Sequence, residues 1–226
     1  MDYWRKHFND NAKRFSHSMK RQVDMTQDGK EVDDAQVHLR VSSILKNLKL
    51  IRTDVVLDLC CGNGLITKKI SEFVSHIYAV DFSEELIEVA KKINNSENIS
   101  YSVSDASNVN FTEFPEVNKI YIQSCLQYLV PNEAELLLHN LSVLDNIKVY
   151  ISNIPDTKKI WKYYNTDEKK AYYYRCEREG RPHLGTWWNK TDIERLAVKF
   201  GFQVEFIPIN PGMNTSHYRF DLLLSK

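Results

Sequence analysis

The chain has 226 residues, which is enough for one domain with a sizeable core. Its 30 basic residues equal its 30 acidic residues, so the formal net charge is zero and a nucleic-acid partner is not expected. No apolar run approaches the length of a membrane span, and the N-terminus lacks the apolar core of a signal peptide. We therefore expect a cytoplasmic protein that does not enter a membrane.

The first fifty residues show two helical patterns separated by a turn. Residues 3–21 carry aromatic and apolar side chains at helical spacing, and Asp33 or Asp34 can open a second helix that reaches Leu48. The sequence Gln-Asp-Gly-Lys at 27–30 predicts the turn between them. We expect residues 1–50 to form a helical cover over a domain that spans residues 51–226.

Strands and helices alternate from residue 54 onward. The predicted strands are 54–60, 76–81, 99–104, 119–124 and 147–153. The predicted helices are 64–73, 84–94 and 132–144, with Ser83 as the N-cap of the second. This alternation predicts an α/β fold of the Rossmann-like type, with a mostly parallel sheet and helices on both faces.

The alternation breaks at residues 156–190, which are crowded with aromatic and basic side chains. We interpret this segment as an insert on the substrate side of the domain. Three readings of it stay open: a lid over a small polar substrate, the packing of a helical subdomain, or a surface that stacks nucleic-acid bases. A helix at 191–200 follows, and consecutive strands at 202–208 and 217–225 predict an antiparallel hairpin.

The four cysteines are Cys60, Cys61, Cys125 and Cys176. No two of them have the Cys-x-x-Cys spacing of metal and redox motifs. Because no export signal precedes them, we expect all four to be reduced thiols.

A turn of small residues follows the first predicted strand and carries the clearest functional signal. A dinucleotide-binding fingerprint would place glycines at 60, 62 and 65, where the chain has Cys60, Gly62 and Leu65. The spacing Asp58-x-Cys60-x-Gly62-x-Gly64 instead resembles the first motif of class I S-adenosylmethionine-dependent methyltransferases, D/E-x-G-x-G-x-G. Cysteine in place of the first glycine indicates that this turn needs no positive φ at residue 60.

The resemblance covers roughly residues 50–226, and it implies a seven-stranded sheet and S-adenosylmethionine as the cofactor. It further implies that Asp81, at the tip of the second strand, binds the ribose hydroxyls, and that Asp105 binds the adenine amino group. Phe82 is then a candidate apolar wall for the adenine. The predicted cofactor-binding residues are Asp58, Cys60, Gly62, Gly64, Asp81, Phe82, Asp105, Ala106 and Gln123.

Signatures of several other methyltransferase classes do not occur at the expected places. The nearest match to the N/D-P-P-Y/F motif of DNA amino methyltransferases, residues 153–156, follows the wrong strand. Asp145-Asn146 precedes the fifth strand, where the metal site of catechol-type enzymes would require residues after it. We therefore expect no metal ion.

Methyl transfer from a sulfonium requires an aligned acceptor and, for a hydroxyl acceptor, removal of its proton. His183 in the insert and Tyr128 after the fourth strand are the candidate catalytic residues, although His183 can also be read as a surface-loop histidine. The candidate substrate-binding residues are Tyr164, Arg175, Trp187, His217 and Arg219.

These features predict methyl transfer to an oxygen or nitrogen of a small polar metabolite, such as a sugar, a natural product or a cell-surface glycan precursor. The small-molecule acceptor is the expected partner, and the protein is expected to be a monomer or a homodimer. Two alternatives stay open: an RNA or protein methyltransferase, and a non-catalytic partner protein that binds S-adenosylmethionine.

Overall fold

The computed structural model describes residues 2–114, 116–181 and 183–226. Its strands are β1 (Thr26–Gln27), β2 (Lys30–Glu31), β3 (Val55–Leu59), β4 (His76–Asp81), β5 (Ile99–Val103), β6 (Lys119–Gln123), β7 (Lys148–Pro155), β8 (Gln203–Ile207) and β9 (Arg219–Ser225). Its α-helices are α1 (Asp2–Arg14), α2 (Met19–Gln22), α3 (Asp34–Leu48), α4 (Leu65–Ile70), α5 (Glu84–Ile93), α6 (Pro131–Leu141), α7 (Ile160–Tyr163), α8 (Asp167–Arg178) and α9 (Lys190–Lys199).

A seven-stranded sheet in the order β5-β4-β3-β6-β7-β9-β8 forms the centre of the fold. Strands β3 to β7 are parallel, and β9 runs antiparallel between β7 and β8. This confirms the predicted Rossmann-like α/β fold with an antiparallel hairpin at its C-terminal end. Because the parallel strands all end at one edge, the turns that follow β3, β4, β6 and β7 lie side by side.

Helices cover both faces of the sheet, so the central strands are buried on both sides. In β6, the consecutive residues Ile120, Tyr121 and Ile122 are all fully buried. One face packs against α6 and α9, and the other against α3, α4 and α5. This two-sided burial explains why the central strands read as continuous apolar runs.

Most predicted elements are confirmed with shifts of one to three residues at their ends. Ser83 is the N-cap of α5, where its hydroxyl accepts a 3.2 Å hydrogen bond from the Leu86 N–H. The helix predicted at 64–73 divides into α4 and a 3₁₀ turn over 71–73. The turn predicted at 27–30 joins β1 and β2, a two-stranded hairpin that the sequence did not predict. Among the described residues, no helix is both long and apolar enough to span a membrane.

Candidate functional site

A cavity of about 790 Å³ opens where β3, β4, β6 and β7 end. This volume lies within the range typical of small-molecule sites. Six of the nine predicted cofactor-binding residues line the cavity, namely Asp58, Cys60, Gly62, Asp81, Phe82 and Gln123. The structure therefore brings together residues from three strands that are well separated in sequence.

The turn after β3 adopts the conformation that a glycine would favour. Cys60 has φ of 72°, so the expectation that residue 60 needs no positive φ is wrong. The N–H groups of Cys60 and Cys61 both donate to the carbonyl oxygen of Val80, at 2.8 and 3.0 Å. Pairing of β3 with β4 creates this shared acceptor, and it holds the backbone of Cys60 in a region that non-glycine residues rarely occupy.

Cys60 also forms a disulfide with Cys125, which lies just beyond β6. The expectation of four reduced thiols is therefore wrong for this pair, whereas Cys61 and Cys176 are free and buried. The two bonded residues are 65 positions apart in sequence, and β3 and β6 are neighbouring parallel strands, which brings the ends of the two strands together. Cys60 and Cys125 both line the cavity, so the disulfide forms part of its wall.

Asp81 is buried at the tip of β4 and accepts two backbone hydrogen bonds. Its Oδ2 accepts from the N–H of Gly62 and its Oδ1 from the N–H of Ser83, each at 2.9 Å. Burial raises the pKa of Asp81 to about 6, and the backbone hydrogen bonds oppose this rise. Each carboxylate oxygen keeps further acceptor capacity, so Asp81 can accept hydrogen bonds from a vicinal diol in the cavity.

Asp58 is committed largely to protein partners. Its Oδ2 accepts a 2.7 Å hydrogen bond from the Tyr121 hydroxyl and a 2.5 Å hydrogen bond from the Thr67 hydroxyl. Burial raises the pKa of Asp58 to about 7, and the nearby negative charge of Asp81 contributes to the rise. Asp58 thus joins β3, β6 and α4 beneath the cavity and leaves Asp81 as the more available acceptor.

Asp105 and Ala106 line a narrow cleft beside the large cavity, and Cys60, Phe82 and Tyr128 border both spaces. Asp105 Oδ1 accepts from the Ser107 N–H at 2.9 Å, and Oδ2 lies 4.0 Å from the Arg5 guanidinium.

Gly64 lines neither space. Its φ is 76°, and a Cβ there would lie 2.4 Å from the Tyr101 hydroxyl, so it serves the start of α4.

The tips of β6 and β7 are held in unusual backbone conformations by side-chain hydrogen bonds. Ser124 and Asn153 have φ of 55° and 64°, and both line the cavity. Asn153 Nδ2 donates to the Ser124 hydroxyl at 2.6 Å, and Asn153 Oδ1 accepts from the Thr215 hydroxyl at 2.6 Å. Gln123 Oε1 accepts from the Ser152 hydroxyl at 2.6 Å. Strained residues held in this way cluster at functional sites.

His183 lies at the wall of the cavity that is formed by the insert. The Tyr164 hydroxyl and His183 Nδ1 are 3.0 Å apart, and both residues line the cavity. His183 is exposed at its outer side, but the residues around it remove part of its hydration. This desolvation lowers the pKa of the imidazole, so the ring is neutral at pH 7. Burial raises the pKa of Tyr128, which keeps its hydroxyl protonated and better suited to donate a hydrogen bond than to take a proton.

The predicted substrate-binding residues divide into two groups. Tyr164, His217 and Arg219 line the cavity, whereas Arg175 and Trp187 are not among its lining residues. The exposed Arg175 guanidinium lies over the Tyr172 ring, 5.1 Å from its centroid. Trp187 packs against Tyr218 with ring centroids 6.0 Å apart.

Several lining residues were not predicted from the sequence, and Arg40 is the most informative of them. Arg40 lies in α3 among Val37, Val41 and Ile44, and only 4% of it is exposed. A charged residue on the buried face of an amphipathic helix is the signal that would have identified it. Asn153 and Gln127 gave no comparable signal because their roles depend on strand ends that meet only in the folded chain.

The N-terminal segment contributes a wall of the same cavity. Trp4 and Phe8 of α1 line it, and their rings lie 4.6 and 5.1 Å from the ring of Tyr128. Asn63, in the turn after β3, donates to the carbonyl oxygen of Met19 at 2.7 Å. Residues before β3 are therefore attached directly to the turn that carries the sequence motif.

Within the described residues, no group of three or more His, Cys, Asp and Glu side chains is arranged to hold a metal ion. Independence from metal ions stays a prediction.

Comparison with known proteins identifies a family. A sequence profile described as "Methyltransferase domain" matches residues 56–144. The chain is 31% identical over 139 residues to a probable cobalt-precorrin-6B C(15)-methyltransferase (decarboxylating) of Methanococcus maripaludis, covering 57% of this chain and 72% of that protein. It is 33% identical over 88 residues to the malonyl-[acyl-carrier protein] O-methyltransferase of Bacillus cereus, covering 38% of this chain and 31% of that protein.

A solved structure extends the likeness to the whole fold. Magnesium protoporphyrin IX methyltransferase from Synechocystis, with bound SAH, superposes with a TM-score of 0.67 at 14% identity, covering 100% of this chain and 98% of that chain. In contrast, the matches to the first curated relatives span about a third of their length or less. The profile match over residues 56–144 includes the turn after β3 and Asp81.

Proposed function

The chain belongs to the class I S-adenosylmethionine-dependent methyltransferases, and we propose that it transfers the methyl group of S-adenosylmethionine to an oxygen or nitrogen of a small polar metabolite. The observation that carries the proposal is the shape and lining of the cavity. The N-terminal segment, the insert and the segment before β9 all contribute walls, through residues such as Phe8, Tyr164 and Thr215. Such a site favours a small acceptor over a polymer.

The residues at the ends of β3 and β4 fit the cofactor. Asp81 offers a buried carboxylate with acceptor capacity for the two ribose hydroxyls, and Phe82 beside it offers an apolar surface. Asp105 lines the neighbouring cleft, and we assign it the adenine amino group. When bound, S-adenosylmethionine supplies an activated methyl group, and the chain has only to hold the acceptor in line and manage its proton.

For a hydroxyl acceptor, we assign His183 the role of general base. Its lowered pKa keeps the imidazole neutral at pH 7, so one ring nitrogen can accept a proton. If Nε2 is that nitrogen, Nδ1 carries the hydrogen and donates it to the Tyr164 hydroxyl oxygen, 3.0 Å away. Burial raises the pKa of Tyr164, so its hydroxyl stays neutral and can accept this hydrogen bond. An amine acceptor that reacts as the free base would need His183 less.

A labelling experiment tests the proposal. Purified protein is incubated with S-adenosylmethionine labelled on the methyl group and with a metabolite extract, and separately with total RNA and with a protein extract. The proposal predicts label in a low-molecular-weight fraction, and Asp81→Ala should reduce it when the cofactor is limiting. Label confined to RNA or protein would contradict the small-metabolite acceptor, and binding of the cofactor without any transfer would indicate a non-catalytic binding protein.

A further inference from the structure

Two arginine side chains are buried where the cavity meets the C-terminal part of the sheet. Arg40 of α3 and Arg219 of β9 are 4% and 5% exposed, and both line the cavity. Full burial of a guanidinium is rare unless a negative charge accompanies it. The partners of these two side chains therefore bear on what the cavity accepts.

None of the hydrogen-bond partners of these guanidiniums carries a negative charge. Arg40 donates to the Gln36 carbonyl oxygen at 2.8 Å and to Asn214 Oδ1 at 3.4 Å. Arg219 uses Nη1 to donate to Gln127 Oε1 at 3.3 Å and to the Asn153 carbonyl oxygen. The Nε of each arginine is buried without a hydrogen bond to any described residue. Arg219 Nη2 also makes no hydrogen bond within the described part of the chain, which leaves it available to a group in the cavity.

The nearest buried carboxylate does not neutralise the pair. Burial raises the pKa of Asp221, and the positive charges of Arg219 and Arg40 oppose that rise. Asp221 therefore lies close to both arginines. Its Oδ2 accepts from the Tyr150 hydroxyl at 2.6 Å and its Oδ1 from the Asn153 N–H at 2.7 Å. Burial is the main cause that lowers the pKa of Arg40 to about 10, and the positive charge of Arg219 lowers it further. The two guanidiniums therefore also repel each other. Two buried positive charges thus face one buried negative charge that is already engaged.

We propose that Arg40 and Arg219 form a binding site for an anionic group, a carboxylate or a phosphate, on the methyl acceptor. Guanidinium groups bind both anions through paired, charge-assisted hydrogen bonds. An anion in the cavity would supply a second negative charge beside that of Asp221. The inference rests on the proposed function, because it names the class of acceptor that the methyltransferase site would take.

The position of the pair in the sheet favours the acceptor over the cofactor as the source of the anion. The cofactor motif lies on β3 and β4, whereas Arg219 begins β9, three strands away from β3. Three strand spacings amount to roughly 14 Å. The methionine carboxylate of the cofactor is the competing source, and the experiment below separates the two.

The test uses binding of simple probes, so it does not require the natural acceptor. Benzoate and phenyl phosphate serve as the two anions and benzamide as a neutral control. Each is titrated by ligand-observed NMR into the full chain saturated with S-adenosylhomocysteine (SAH), the demethylated form of the cofactor. We expect both anions to bind more tightly than benzamide, and the stronger of the two identifies carboxylate or phosphate as the preferred group. In Arg40→Gln and Arg219→Gln, anion affinity should fall roughly ten- to hundred-fold. The matched control is Arg195→Gln, because Arg195 is exposed on α9 and pairs with Asp192, and its substitution should change nothing.

The affinity for SAH in each variant checks folding and separates the competing explanations. Unchanged SAH affinity with lost anion binding supports the proposal. If the glutamine variants weaken SAH but not 5′-methylthioadenosine, which lacks the amino-acid moiety, the pair binds the cofactor carboxylate and the proposal is overturned. Benzamide binding equal to that of benzoate would also overturn it. If a glutamine variant does not fold, the corresponding Arg→Lys variant should keep the preference for anions, and loss of that preference would contradict the proposal.

Failure of the proposed function would look different from failure of this inference. A protein that binds SAH and anions but transfers no label to metabolites would contradict small-metabolite methylation and leave the anion site standing. A protein that methylates only neutral metabolites, with equal activity in Arg219→Gln, would contradict the anion site and leave the proposed function standing.

Discussion

The backbone N–H of Gly62 donates a 2.9 Å hydrogen bond to Oδ2 of Asp81, which ties the turn after β3 to the tip of β4. Both residues belong to the sequence motifs that first indicated the cofactor. The bond fixes the carboxylate of Asp81 at the cavity wall without a charged partner. Burial raises the pKa of Asp81 in spite of this hydrogen bond, and the charge state of Asp81 should control cofactor binding.

We predict that SAH binding strengthens as the pH rises towards neutrality. The pKa of Asp81 is about 6, above its ordinary value of 3.8, so below pH 6 the carboxyl must lose a proton before it can accept both ribose hydroxyls as an anion. Affinity measured by calorimetry should rise by up to about ten-fold per pH unit below pH 6 and level off above about pH 7.

Two substitutions at Asp81 sharpen this test. Asp81→Ala should cost about 1.5–3 kcal/mol, or about ten- to hundred-fold in SAH affinity at pH 7.5. Asp81→Asn should remove the pH dependence, because the amide does not titrate. Glu88→Gln is the matched control on the exposed face of α5 and should behave as the native chain does. Native pH dependence in Asp81→Asn would assign the titration to another group.

The second prediction concerns His183 as the general base. Desolvation lowers its pKa below 6.5, while Asp24 raises it and Lys169 lowers it further. A base must be deprotonated, so kcat/KM for a hydroxyl acceptor should rise with pH through a value below 6.5 and stay flat from pH 7 to 8. With S-adenosylmethionine kept saturating at every pH, so that Asp81 does not limit the rate, His183→Asn should lose this acidic limb and reduce kcat by roughly 10²–10⁴-fold.

Tyr164→Phe isolates the orienting hydroxyl from the base itself. It should lower kcat with little change in KM, because the imidazole stays but its Nδ1–H loses the hydroxyl that accepts its hydrogen bond. His139→Asn, at an exposed position of α6, is the control and should leave the profile intact. An unchanged acidic limb in His183→Asn would show that another group takes the proton.

The third prediction concerns the disulfide between Cys60 and Cys125. Thiol titration of the denatured chain should find two free thiols, Cys61 and Cys176, before reduction and four afterwards. Closure of the 65-residue loop constrains the unfolded chain, so reduction should lower the free energy of unfolding by about 2–4 kcal/mol. Cys176→Ala should retain that difference and Cys125→Ala should abolish it. Four free thiols in the unreduced chain would contradict the pairing.

The parts of this structure that the sequence predicts are those encoded by local periodicity. Apolar runs and amphipathic patterns identify β3 to β7 and the helices between them, and the position of Asp58 and Asp81 at strand ends follows directly. The positive φ of Cys60 was not predictable in the same way. It depends on hydrogen bonds to Val80 that exist only after β3 and β4 have paired.

Contacts between distant segments account for what the sequence did not predict at the site. Cys60 and Cys125 meet because β6 inserts beside β3, and Arg40 meets Arg219 across 179 positions of sequence. Neither pairing leaves a trace in spacing or composition. The sequence offered Arg219 as a candidate substrate-binding residue but did not indicate its neighbours.

The fourth prediction is that turnover does not require a metal ion. Activity measured with labelled S-adenosylmethionine should be the same after dialysis against EDTA as before. Residues that hold the acceptor in the proposed mechanism, such as His183 and Arg219, bind through hydrogen bonds and charge rather than through a cation. Loss of activity in EDTA and its recovery with Mg²⁺ would contradict this prediction.

The fifth prediction is that residues 2–21 and 156–190 cover the cavity and become more ordered when it is filled. The two segments start from different packing. In α1, Trp4, Phe8 and Ala12 are buried in one cluster with Phe82 and Leu86, whereas α8 buries only Cys176. Amides in α8 should therefore exchange faster than those in α1 in the absence of ligand.

Hydrogen exchange with mass spectrometry tests this difference directly. Addition of SAH should slow exchange in α1, since Trp4 and Phe8 line the cavity, and addition of the acceptor should slow it in α8, where Glu168, Lys169 and Tyr172 line it. Trp4→Ala should lower turnover strongly and the melting temperature only slightly, because it opens the cover while the seven-stranded sheet stays intact. Exchange in α9, which contributes no residue to the cavity wall, serves as the internal control. Slow exchange in α8 without ligand would identify the insert as a fixed part of the fold and would remove the basis for closure over the acceptor.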